Sequence, residues 1–577
     1  LDCNSARSCE RKMVASLLLL SSALSLAYAN RNLLQVGYVE AQSPLSGTQY
    51  SKVEGSHKHS VVYFPDHEKA TVEFMERLTE RVKSGTKYAD VKELNCEWGN
   101  GPNYARFIPQ YKTSAFIGKG PVTFENHCYQ KNTFQIIESN STSLIVSLKT
   151  EDKSSIACYD SYLFATLSHY HLELYDFGGE HRLEFHGLNA NDAVDIAQNG
   201  VRVFSFCDPV QDLVVDLLMS LQLFLGGFTT HPSWPIIGSH TTEYMEKANV
   251  KFLEAAINYT MEYRDIPNQH IDIPISEIKS GSFLAVARLD GLDELIMYGA
   301  GGRVGHSTMA LWIEEKGQRE LYVVESQAGW YWPITGIQKT KFSQWVQWAE
   351  NASFNVVVLP LKPEVQAKFN ETAVYEWFKT VEGTPYGYHN FVFGWIDTPA
   401  SNMPPLIQPE LLPILFRAVE EVIPAAIASV FTLSLNLRLG TEYLNLAQIE
   451  VEVAKRNTTI LDLIATVEEE GWWYPDGVSY VCSSFVLAAY KRAGILGDLE
   501  LSGPEFTPRD VYTLNLFDTN YVRPQVCVDA DPDIPYCQLI GKYRINLGAE
   551  YSTIEPYSHM AENCPTIAPE FYRPQGC

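Results

Sequence analysis

The sequence predicts an α+β protein of more than one domain, and three features carry that reading. Residues 30–235 contain short alternating segments, such as 133–138, 143–148 and 172–177, with the period of half-buried strands. A second strand-rich region opens near Ser280 and holds a hairpin signal at Lys316-Gly317. A helix-like run then begins at Cys482 and ends with Lys491 and Arg492 in its last turn and Gly494 just beyond. The chain has 577 residues, 46% of them hydrophobic and 12% aromatic, enough apolar surface to bury several cores. Its formal net charge of −25, with no Lys/Arg stripe interleaved with aromatics, excludes nucleic acid as a partner.

Residues 1–29 read as a leader. Arg11 and Lys12 precede an apolar stretch from Val14 to Leu26, and Ala27-Tyr28-Ala29 offers a cleavage site. A secreted or lysosome-like luminal location follows, and five sequons agree with it, at Asn140, Asn258, Asn351, Asn370 and Asn457. Residues 30–235 form the predicted β-rich, disulfide-containing domain. A two-residue turn at Gly178-Gly179 would make a hairpin there, setting His171 across from His186. Two such histidines are more often packing residues than metal ligands, and no metal is assigned. Asp212 to Phe228 reads as an apolar helix too short to span a bilayer, and Pro232 and Pro235 mark a boundary before a helical linker, 236–277.

The second domain is predicted at 278–550. Residues 281–287 read as a strand and 299–305 as a glycine-rich loop ahead of His306. Val304 stands where a dinucleotide fingerprint needs its third glycine, so no cofactor is implied, and the bare backbone at Gly305 is expected to let a substrate approach His306. Residues 308–313 and 321–325 make the hairpin through Lys316-Gly317, which puts Glu325 and Gln327 on the face that carries His306. Either one is placed to orient the imidazole. Residues 400–470 read as a mostly helical insertion. Within it, 422–437 is uncharged but contains Pro424 and Asn436 and is shorter than a membrane span, so a buried helix is expected. Residues 444–467 show helical spacing, and 551–577 form a cysteine-containing tail.

Cysteine counting singles out one thiol. With Cys3 and Cys9 assigned to the leader, Cys96, Cys128, Cys158, Cys207, Cys527, Cys537, Cys564 and Cys577 can pair, which leaves Cys482. Free N–H groups and the positive end of a helix favour thiolate over thiol, and a neighbouring imidazolium adds to this. The competing reading of Cys482 is an inert buried cysteine. For His306 it is a packed strand-end residue, with His389 as a rival base.

The order histidine first, cysteine last resembles the circularly permuted NlpC-type, papain-like cysteine hydrolases and acyltransferases, the group that includes lecithin:retinol acyltransferase-like enzymes. The matching pieces are Gly305-His306-Ser307-Thr308-Met309-Ala310-Leu311, Tyr322-Val323-Val324-Glu325-Ser326, Glu382-Gly383-Thr384-Pro385-Tyr386-Gly387-Tyr388 and Tyr480-Val481-Cys482-Ser483-Ser484-Phe485. They cover about 280–495, and the long insertion departs from the family's short connection. The resemblance implies a papain-like sheet plus cysteine-bearing helix, with Cys482 as nucleophile, His306 as general base, Glu325 as the group that fixes the imidazole, and Tyr386 lining the site. Trp472 and Trp473, ten residues before the thiol, are candidate substrate contacts for an apolar or sugar-bearing ligand.

The expected function is therefore a cysteine hydrolase, an amidase, peptidase or acyl-ester hydrolase acting on a peptide, glycopeptide or lipid through a thioester. A lipid acyltransferase or phospholipase on the same scaffold is the alternative, and a catalytically inactive binding module the reading from a different class.

Overall fold

The alternating segments after residue 106 build two four-stranded antiparallel sheets. The strands are β1 (Gln110–Ala115), β2 (Val122–Phe124), β3 (Tyr129–Ser139), β4 (Ser143–Lys153), β5 (Asp160–Ala165), β6 (Tyr170–Tyr175), β7 (Gly179–His186) and β8 (Val201–Ser205). One sheet runs β1-β8-β5-β6 and the other β2-β3-β4-β7. In this computed structural model the described residues are 104, 106–155, 158–208, 210–225, 241–266, 269–328, 331–396, 408–422, 424–464, 466, 473–474, 477–558 and 560. The leader therefore lies outside the described residues, as do Cys96, Cys564, Cys577 and Trp472. The sheets pack through one shared core that includes Phe134, Val146, Phe164, Phe185 and Val203. A disulfide joins Cys128 to Cys158, and Cys207 is also disulfide-bonded.

The expected hairpin at Gly178-Gly179 does not form. β6 borders β5 in one sheet while β7 pairs with β4 in the other, so the chain crosses between sheets there. The same glycines suit a crossing as well as a hairpin, which is why the local signal misled. His171 instead packs edge-on against Phe185 at 4.7 Å, and His186 lies 3.0 Å from Glu184.

Helix α1 (Ala190–Asn199) connects β7 to β8 and starts at a capping box between Asn189 and Asp192. Helices α2 (Val210–Leu225) and α3 (Glu243–Ile257) lead towards the second domain, with Thr242 capping α3. The second domain is built on a six-stranded antiparallel sheet. Its members are β9 (Phe283–Arg288), β10 (His306–Glu315), β11 (Gln318–Gln327), β12 (Gly336–Lys341), β13 (Phe354–Leu359) and, after the two-residue strands β14 (Trp473–Tyr474) and β15 (Gly477–Val478), β16 (Cys537–Ile540). The order is β12-β11-β10-β9-β13-β16. β10 and β11 turn at Lys316 and Gly317, both with positive φ, at 54° and 76°.

Helix α4 (Leu292–Ala300) follows β9 and takes up the first residues of the expected glycine-rich loop. Helix α5 (Phe342–Asn351) covers one face of the sheet over Leu284, Val286, Ala310 and Val323. The other face, with Phe283, Ala285, Met309 and Leu311, belongs to a larger core that also contains α6 (Glu371–Val381) and the helix that starts at Cys482. After α7 (Tyr388–Ile396) comes the helical insertion, with α8 (Leu412–Val422), α9 (Leu433–Leu439) and α10 (Leu446–Lys455) around a separate core where Phe416 stacks on Phe431. The insertion leans on the sandwich: Leu411 and Ile414 join Leu163 and Phe204, and Asn199 donates to Glu450 at 2.8 Å. Among the described residues no helix is long and apolar enough to cross a membrane.

Beyond the insertion comes α11 (Cys482–Arg492), fully buried from Cys482 to Tyr490. β16 then closes the sheet edge, joined by the Cys527–Cys537 disulfide and by a buried Arg264–Asp531 ion pair at 2.6 Å. All five sequon asparagines are exposed, and Asn370 caps α6 through Oδ1.

Candidate active site

The thiol sits where α11 begins because Val481 keeps extended backbone, φ −74° and ψ 174°, and has no side chain with which to cap the first turn. The chain before it is clamped from two sides. Ser326 on β11 donates to the Tyr480 carbonyl at 2.7 Å, and the Gly387 N–H donates to the same oxygen at 3.0 Å. A side chain at position 387 would lie 2.4 Å from the Tyr480 carbonyl carbon, so this approach needs glycine. Tyr386, bridged to Tyr480, brings its hydroxyl to Cys482, where it meets both the backbone N–H and the sulfur. Among the described residues Cys482 is the free cysteine.

His306 is the first residue of β10 and pairs with Val286 on β9. The hairpin register, which sets Met309 against Val324, brings Glu325 and Gln327 to the His306 face. Glu325 makes the contact: His306 Nε2 lies 3.1 Å from its Oε2. The other carboxylate oxygen accepts the Trp345 indole N–H at 3.0 Å, so a fully buried tryptophan on α5 fixes the group that fixes the imidazole. With Nε2 facing Glu325, the other edge of the ring serves Cys482, to whose sulfur the imidazole is also hydrogen-bonded. Burial works against the charged imidazole, but the sulfur and the Glu325 carboxylate outweigh it and hold the His306 pKa up at about 10.

Cys482, His306, Gly305, Gln327 and Tyr386 line one small cavity of about 30 Å³, together with Asp293, Tyr331 and Tyr388 and an apolar wall of Leu292, Ile296, Ala328 and Phe391. Asp293 was not foreseen. It stands in the first turn of α4, and the space a Gly305 side chain would fill is taken by its Cβ and Cγ, 2.5 Å from that position. The glycine therefore admits this carboxyl as well as bordering the cavity. Burial raises the Asp293 pKa to about 7, with Asp290 adding to the effect and His306 partly opposing it. One Asp293 oxygen accepts the Arg288 N–H at 2.7 Å.

No protein-family model, curated protein or solved structure matches the chain. The arrangement therefore stands on its geometry. The rival base His389 is stacked on Tyr474 at 4.3 Å and is not among the residues around the cavity. Trp473 lies on β14, but its side chain, like all of Trp472, is outside the described residues. Trp345 was missed because nothing local in a helix at 342–351 marks one indole as a partner for a carboxylate in another element. The acidic run Asp290, Asp293 and Glu294 beside a buried strand was the one available signal for Asp293.

Proposed function

We propose that the protein is a cysteine-dependent hydrolase of amide or acyl-ester bonds, working on a permuted NlpC-type, papain-like scaffold in a secretory or luminal compartment. The observation that carries this is a free, helix-initial thiol hydrogen-bonded to an imidazole whose far nitrogen is held by a buried carboxylate.

In this reading the Cys482 sulfur adds to the acyl carbon. The oxygen that gains charge falls beside the Cys482 N–H and the Tyr386 hydroxyl. As the carbon–nitrogen or carbon–oxygen bond breaks, imidazolium gives its proton to the leaving amine or alcohol and a thioester remains. His306 then takes a proton from water, hydroxide adds to the thioester, and the acid leaves as the sulfur is released with the proton back on His306. Glu325 holds the ring in the tautomer this sequence requires.

The test is alkylation of the intact protein with iodoacetamide across pH, with the modified cysteine mapped. Labelling of Cys482 that persists well below pH 8, is absent in Cys482→Ala and drops at least about tenfold in His306→Ala supports the pair. A Cys482 that stays unlabelled in the folded protein would return it to an inert scaffold.

A further inference from the structure

Gln327 is one of the polar groups of the cavity that the triad leaves unused. Glu325 takes the imidazole, so the second candidate for that task, two residues further along β11 on the same face, is left pointing at the reacting groups. Gln327 is 1% exposed, and among the described residues neither its Oε1 nor its Nε2 makes a hydrogen bond of normal geometry. The Tyr331 hydroxyl is a polar neighbour within reach of the amide. A buried carboxamide left in this state carries the desolvation penalty of each unmet group, which a tightly packed strand interior ordinarily avoids.

The carboxamide offers one donor and one acceptor side by side. Its complement is a group with an acceptor and a donor on the same edge: a primary amide, or an extended peptide residue, whose own N–H and C=O point the same way. An acyl ester chain has no N–H to give, and would leave Oε1 unmet. Around Gln327 the cavity adds other polar groups, Asp293 among them, and an apolar wall, and among the described residues no lysine or arginine lines it.

Building on the hydrolase reading, we infer that Gln327 is a specificity-determining residue that hydrogen-bonds an amide group next to the scissile carbonyl, so that the substrate class is peptide or amide and not acyl ester. Gln327 recognises, while Cys482 and His306 react. The two roles are therefore separable by reagents that carry or lack an amide.

The experiment compares alkylation of Cys482 by iodoacetamide, which presents a primary amide beside the reacting carbon, with its modification by methyl methanethiosulfonate, which presents none. The protein is the full chain, as wild type and as Gln327→Met and Gln327→Glu, with thermal melting followed in parallel. The expected result is that Gln327→Met lowers the iodoacetamide rate relative to the methanethiosulfonate rate about five- to tenfold, the size of one lost buried hydrogen bond. Gln327→Glu, which keeps acceptors but loses the donor, should fall between. An unchanged ratio in both variants would overturn the inference, as would a loss of both rates together with a lowered melting temperature, which would make Gln327 a structural residue. A wild-type Cys482 inert to both reagents would bring down the hydrolase reading and this inference with it.

Discussion

Asp160 in the sandwich and Gln327 in the six-stranded sheet are both buried polar side chains on strands, at 3% and 1% exposure, yet they are provided for in opposite ways. Asp160 accepts the N–H groups of Cys128 and Tyr129, each at 3.1 Å, and the Tyr162 hydroxyl at 3.0 Å. Its charge is saturated, and it fastens the start of β3 to β5 beside the Cys128–Cys158 disulfide. Among the described residues Gln327 has no such complement. The difference teaches how to sort buried polarity. A group surrounded by its own partners holds the architecture, whereas one left short of partners around a reactive atom awaits a ligand.

The largest effect that would break this division is expected at the thiol. Cys482→Ser should lower acyl-transfer turnover by a factor of about 10³ or more with the melting temperature close to wild type, because sulfur chemistry is lost and packing kept. A variant that retained turnover would place the nucleophile elsewhere. Asp160→Ala should do the reverse, destabilising the sandwich by about 3–5 kcal/mol by stranding its buried donors, while iodoacetamide labelling of Cys482 stays unchanged below the melting range. Denaturant unfolding read against thiol labelling would decide that.

Glu450 sharpens the comparison at the boundary between the two regions. Burial, with the nearby charge of Asp195 adding, raises its pKa to about 7 from 4.5, and the insertion meets α1 of the sandwich through it. The folded protein keeps a proton there that the unfolded chain releases between pH 4.5 and 7, so stability should fall as pH rises through that window, by at most about 3 kcal/mol. Melting curves at pH 5 and 8 should converge in Glu450→Gln.

The smallest effect is expected at the imidazole's support. The folded His306 pKa of about 10 lies above the ordinary 6.5, so the stabilisation from its partners is complete below pH 6.5 and is lost as pH climbs to 10. Glu325→Gln should move the alkaline limb of Cys482 labelling to lower pH, and Trp345→Phe, which removes the indole donor, should lower turnover about tenfold. A pH–rate profile identical to wild type in both would detach Glu325 from the imidazole.

Two parts of the site were legible because their signals are local: Cys482 at a helix start and the Lys316-Gly317 turn that sets Glu325 beside His306. Tyr386 came only through the family resemblance. Trp345 and Asp293 reach the site only through tertiary packing, from helices whose own periodicity is explained by burial alone. The crossing at Gly178-Gly179 failed for a related reason. A turn signal fixes where the chain bends and says nothing of which sheet receives it, a choice made by the core around Phe134 and Phe164. β16 was likewise unread, since four residues between a disulfide and a turn carry too short a pattern to announce a sheet edge.

β10 carries His306 early in the polypeptide, α11 brings Cys482 late, and β16 completes the sheet later still. During synthesis, then, the imidazole and the Glu325 carboxylate emerge long before the sulfur, and the strand that closes the far edge of their sheet is delivered after all of them. The contact between thiol and imidazole is thus a late event, made only once some 480 residues of the chain exist.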